Sequence, residues 1–136
     1  MTTFMKTREP RRPVVLVVDD EEPIRRVARR ILESRGYDVL DAPDGFAALE
    51  LVDKGATIDL LMADLHMPQL NGAEMARRFR ATNPDLKVLY VSGYTDELFE
   101  ERPMLWDGEA FLDKPFSPRG LVEAAMLLLT GRLAAA

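Results

Sequence analysis

Five side chains in this sequence could do chemistry together: Asp19, Asp20, Asp64, Ser92 and Lys114. Three carboxylates brought close together repel one another, so such a group is comfortable only beside a cation. The donors are all oxygen and the chain has no cysteine. That set suits Mg²⁺, a hard ion that keeps several waters and takes one or two carboxylates plus a phosphate. Lys114 would add a fixed positive charge and Ser92 a hydroxyl donor. A metal, an ammonium and a hydroxyl around one carboxylate describe a phosphoryl-transfer site. The cations offset charge on the equatorial oxygens, and the carboxylate is the nucleophile.

The elements that must position these groups are legible as apolar runs. Val14–Val18 runs into Asp19-Asp20, Leu60-Leu61-Met62-Ala63 ends in Asp64, 86–91 runs into Ser92-Gly93, and 110–112 is soon followed by Lys114-Pro115. Continuous apolar runs rich in β-branched residues predict strands covered on both faces. The strands are predicted at 14–18, 37–40, 58–63, 86–91 and 110–112.

Helices are predicted between them. Pro23 suits a first helical position. Ile24, Val27, Ala28, Ile31 and Leu32 recur at helical spacing, with Arg25, Arg26, Arg29 and Arg30 on the opposite, solvated face, until Gly36. The turn Asp44-Gly45 opens a second helix carrying Ala48, Leu49 and Val52 up to Gly55. Segment 66–72 is a loop with a strong turn signal at Asn71-Gly72. Met75, Ala76 and Phe79 face inward on a third helix that Asn83-Pro84 stops. Segment 95–102 is weakly helical and Pro103 breaks it. Ser117-Pro118 starts a last helix carrying Leu121, Val122, Ala125, Leu128 and Leu129, closed by Gly131. Strands alternating with helices predict an α/β fold, a parallel sheet with helices on both faces. Ligands bind at the carboxyl ends of such strands, where all five candidate groups fall.

Composition narrows the class. The chain has 136 residues, 47% hydrophobic and 30% charged, an ordinary globular balance for a single domain. A net charge of −5 argues against nucleic acid as a bulk electrostatic partner. The absence of cysteine excludes a disulfide framework and thiolate zinc. No apolar run spans a bilayer and no apolar signal segment opens the chain, so no membrane partner and a cytoplasmic location are expected.

The motifs taken together resemble the receiver domain of two-component response regulators. The matching residues are Val17-Val18-Asp19-Asp20-Glu21; Asp64-Leu65-His66-Met67-Pro68, with Gly72 eight positions after Asp64; Val91-Ser92-Gly93; and Phe111-Leu112-Asp113-Lys114-Pro115-Phe116. They extend over about residues 14–130. The resemblance implies a single doubly wound (βα)5 domain, flavodoxin-like, with sheet order 2-1-3-4-5. That domain would occupy residues 13–131, after a flexible leader at 1–12 and before a tail at 132–136.

The same resemblance implies the roles. Asp64 would be the phosphoacceptor, taking a phosphoryl group from the phosphohistidine of a histidine kinase or histidine phosphotransfer protein. Asp20 and Asp64 would bind Mg²⁺, with Asp19 acting through a water and the His66 backbone carbonyl as a further ligand. Ser92 and Lys114 would bind the phosphoryl oxygens, and Phe111 would be the switch aromatic that turns inward behind Ser92. His66 and Tyr94 would flank the route of attacking water and so tune phosphoryl lifetime. The Lys114–Pro115 bond would be cis. Phosphorylation would change the face made by the helix near Pro103, the fifth strand and the last helix, and so the affinity for a downstream protein target. A monomer or weak dimer without an output domain is expected. Ser92-Gly93-Tyr94-Thr95 together with Lys114-Pro115-Phe116 resembles receivers of hybrid sensor kinases.

Blander readings stand beside these. Asp19-Asp20 is also compatible with a solvated turn, Lys114 with a surface lysine, and the arginines of the first helix with either a solvated or a kinase-docking face. The rival activity is an aspartyl-phosphate hydrolase of the haloacid dehalogenase type. Such an enzyme has its nucleophile after strand 1 and a second Asp two residues on; here Glu21 stands two residues after Asp19.

Overall fold

The computed structural model of the chain describes residues 11–93 and 108–131. Among these residues five strands and four helices alternate: β1 (Val14–Val18), α1 (Glu22–Glu33), β2 (Asp38–Ala42), α2 (Gly45–Asp53), β3 (Leu60–Asp64), α3 (Gly72–Thr82), β4 (Lys87–Ser92), β5 (Glu109–Asp113) and α4 (Pro118–Thr130). The strands form one parallel sheet in the order β2-β1-β3-β4-β5. The weak helix expected at 95–102, with Tyr94, Pro103 and Trp106, lies outside the described residues.

The period of two along a strand divides the core into two layers. Leu16, Val18, Leu61, Ala63, Val88 and Tyr90 face the side of the sheet that carries α2 and α3, where Ala48, Met75, Ala76 and Phe79 meet them. Val15, Val17, Leu60, Met62, Leu89 and Val91 face the other side, against Ala28 and Leu32 of α1 and Leu121 and Ala125 of α4. Three helices start as their residue types require. Asp44, Asn71 and Ser117 each accept a backbone N–H three residues on, at 2.8, 2.9 and 2.9 Å. Gly131, at φ 75°, closes α4 in the left-handed conformation that glycine adopts without strain.

The expected boundaries move in places. β2 runs over Asp38–Ala42 rather than 37–40, and β3 begins at Leu60, leaving Ile58 buried ahead of it. α1 ends at Glu33, and Gly36 (φ 91°) belongs to the turn that follows. Val27 is a correction: at 49% exposure it lies outside the buried stripe centred on Ala28 and Leu32. The solvated arginine face also needs correcting. Arg26 is exposed, pairing with Glu22, but Arg25 and Arg29 fold back over β2.

Two polar clusters brace neighbouring strands. Arg11 grips Asp59 through two hydrogen bonds of 2.9 and 3.0 Å, and the Val14 N–H donates to the same carboxylate at 2.7 Å. Arg80 of α3 pairs with Glu109 of β5, donates to the Leu86 carbonyl at 3.0 Å, and shares Glu109 with the Tyr90 hydroxyl at 3.2 Å. The Tyr90 ring lies 5.6 Å from that of Phe111, its cross-strand partner.

Candidate functional site

The sheet order places β1, β3, β4 and β5 side by side, so their carboxyl ends form one edge. Asp19 follows β1, Asp64 ends β3, Ser92 ends β4 and Lys114 follows β5. Asp19, Asp64 and Ser92 are the buried polar residues there, at 3%, 5% and 1% exposure. Buried polar groups need partners; Asp19 and Asp64 share Lys114, and each accepts a backbone N–H.

Lys114 is the centre of that arrangement. Its Nζ lies 2.8 Å from Asp19 Oδ2, 3.2 Å from Asp64 Oδ2 and 3.4 Å from Glu21 Oε2. An ammonium has three donors, and all three are engaged. Burial alone would lower the Lys114 pKa, but the hydrogen bond to Asp19 and the charges of Asp64 and Asp19 outweigh it, so the pKa is raised. Asp19 is also raised: burial dominates, and the Asp64 charge adds to it, while Lys114 and the Glu21 N–H pull the other way. The site is thus short of positive charge. Asp19, Asp20, Glu21 and Asp64 each offer an oxygen, all within 4.8 Å of one another, against the single lysine. An oxygen-only donor set with surplus negative charge fits Mg²⁺. Glu21 belonged to the matching motif but had no expected role; the signal for it was its position directly after the acid pair.

The backbone fixes the two central acids. Asp19 Oδ1 accepts the Glu21 N–H and Asp64 Oδ1 accepts the His66 N–H, both at 2.9 Å. Loop 66–71 is held by buried Met67 and Leu70, while the His66 side chain stands exposed at its mouth. Gly72 passes directly beneath Asp64: a Cβ there would lie 2.7 Å from the Asp64 carbonyl oxygen. The Lys114 N–H donates to the Ser92 carbonyl at 2.7 Å, locking the two strand ends together, and the Lys114–Pro115 bond is cis. Phe111 is partly buried one layer below, against Tyr90. Among the described residues no helix is long and apolar enough to cross a membrane.

Known proteins resemble this chain in sequence and in fold. The family model of the response regulator receiver domain matches residues 15–126. The sensor kinase CckA of Brucella abortus is 37% identical over 116 residues, which are 85% of this chain and 12% of that protein. The response regulator MprA of Mycobacterium leprae is 37% identical over 116 residues, 85% of this chain and 50% of that protein. The chain therefore spans half or less of the length of these relatives. Among solved structures, the receiver domain from the hybrid histidine kinase CckA superposes with a TM-score of 0.72 at 35% identity, covering 86% of this chain and 99% of that one. The response regulator TrrA from Thermotoga maritima, solved in complex with Mg²⁺-BeF, gives 0.74 at 30% identity, with the same coverage of 86% and 99%. Solved receivers are covered almost end to end, and the sequence match runs from β1 into α4; the chain belongs to the family of response regulator receiver domains.

Proposed function

We propose that Asp64 is the phosphoacceptor of this receiver and that the site forms and holds its aspartyl phosphate. One observation carries the reading: a half-buried lysine spans the two innermost acids, Asp19 and Asp64, at the edge where a phosphoryl group would arrive. The donor would be the phosphohistidine of a histidine kinase or a histidine phosphotransfer protein. A carboxylate oxygen of Asp64 forms a bond to phosphorus as the P–N bond of the donor breaks, and the electron pair returns to the imidazole nitrogen. Asp64 goes from about one negative charge to about two. Lys114 and the Ser92 hydroxyl bind the phosphoryl oxygens, and Phe111 responds behind them.

Asp20, Asp64 and the His66 carbonyl would hold Mg²⁺ directly and Asp19 through a water. Bound there, the ion would offset charge on the transferring oxygens. His66 and Tyr94 are assigned to tuning the phosphoryl lifetime. The receiver is assigned to residues 13–131, acts in the cytoplasm as a monomer or weak dimer, and passes its state to a protein target. The relatives that match are response regulators and a sensor kinase, so a dehalogenase-type hydrolase is not favoured.

The test is incubation with Mg²⁺ and acetyl phosphate, followed by intact-mass measurement. The wild type is expected to gain one phosphoryl group and Asp64→Asn none. Labelling that survives the substitution would refute the assignment, and turnover of phosphate esters dependent on Asp19 would restore the hydrolase reading.

A further inference from the structure

Arg25 leaves the solvated face of α1 and lies 16% exposed behind the acid pair. Its Nη1 donates to the Asp19 backbone carbonyl at 2.8 Å, and its Nε stands 3.4 Å from Asp41 Oδ2. The other oxygen of Asp41 is taken by Arg29 at 3.1 Å, and Arg29 also donates to the Val39 carbonyl at 2.9 Å. The guanidinium is planar, so holding two partners fixes its orientation. The Asp19 carbonyl lies in the rigid peptide plane that joins Asp19 to Asp20, so a donor on that oxygen sets the direction in which both carboxylates leave the backbone. Asp19 has two further restraints, its N–H on the Ala42 carbonyl at 3.3 Å and its Oδ1 on the Glu21 N–H at 2.9 Å. The exposed Asp20 carboxylate makes no hydrogen bond among the described residues, so the backbone alone aims it.

We propose that Arg25, braced by Asp41, is a positioning residue that aims Asp19 and Asp20 at the divalent cation. The inference rests on the proposed Mg²⁺-dependent phosphoacceptor site. It predicts the opposite sign from charge alone. A guanidinium near a cation site repels the cation, so removing it for electrostatic reasons would tighten Mg²⁺ binding. Removing it as an aiming device weakens binding.

The experiment is calorimetric titration of Mg²⁺ into wild type, Arg25→Ala and Arg25→Met at constant ionic strength, with thermal unfolding measured in parallel without metal. Arg25→Met keeps most of the buried stem if Arg25→Ala fails to fold. A folded variant is expected to bind Mg²⁺ about tenfold more weakly, as losses of supporting groups around metal ligands do. The Mg²⁺ concentration for half-maximal acetyl phosphate labelling should rise by the same factor, with a smaller change in the maximal rate. A merely structural arginine would lower the melting temperature and leave the Mg²⁺ constant in place. Unchanged or tighter binding by either folded variant overturns the inference alone, whereas failure of the wild type to bind Mg²⁺ overturns the proposed phosphoacceptor site with it.

Discussion

Gly72→Ala should damage the site through the backbone of its central residue. Alanine ordinarily strengthens a helix over glycine, by up to ~1 kcal/mol. At Gly72 the added Cβ would stand 2.7 Å from the Asp64 carbonyl oxygen, 3.2 Å from its carbon and 3.4 Å from the Ala63 Cβ. Carbon and oxygen rarely approach closer than ~3.3 Å, so the Asp64 peptide or the start of α3 must yield by roughly 0.6 Å. Neither is a flexible side-chain end. Overpacking of this kind costs ~1–3 kcal/mol, leaving a net loss of about 1 kcal/mol and a melting temperature lower by about 4 °C. Displacing the carboxylate of Asp64, the proposed acceptor, by a similar distance should slow acetyl phosphate labelling by about tenfold, since misplacement of ~1 Å can cost a hundredfold. Thermal unfolding and time-resolved mass measurement read the two effects. A variant at least as stable as wild type and labelled at the wild-type rate would show that the close approach constrains nothing.

Lys114→Ala removes the counter-charge of a buried acid cluster and should destabilise the fold by about 3 kcal/mol, much of it recovered by Mg²⁺. Denaturant unfolding with and without the ion measures this, and equal loss in both conditions would contradict it. The same variant should still take phosphate slowly but show no change in partner affinity on phosphorylation. Tyr90 has a raised pKa because it is buried and bonded to Glu109. The unfolded chain releases that proton near pH ~10 while the folded one keeps it, so stability falls as pH rises above that value. Tyr90→Phe should flatten the alkaline limb of a melting-temperature profile; an unaltered limb would sink the argument. Burial opposes the Asp59 carboxylate, but Arg11 and the Val14 N–H outweigh it and hold its pKa low. Its contribution is present above pH ~4 and lost as pH falls further, so Asp59→Asn should melt with a shallower acid limb.

The strands and the site edge were legible because each depends on a local pattern. Largely apolar runs end in Asp19, Asp64 and Ser92, and Asn71 and Ser117 directly precede their helices. Features that arise from distant partners were not legible. β2 extends to Ala42 with Asp41 held by Arg25 and Arg29, residues that helical spacing alone puts in water. The contact of Glu21 with Lys114 joins residues 93 positions apart. Gly72 reads as a turn glycine, yet the room it leaves beneath Asp64 gives a stronger reason for it.

The cluster of Arg80, Glu109 and Tyr90 gives β5 two unlike ends. Its first residue is bolted to α3 and β4 inside the protein, whereas its last leads into Lys114 at the reacting edge. The strand spans about 13 Å between them. If Lys114 is drawn toward a phosphoryl group on Asp64, as proposed, the anchored base would turn that pull into a swing about Glu109 and not a slide of the whole strand. Phe111 sits midway along that arm, so a small travel at the tip would reach its aromatic ring as tilt.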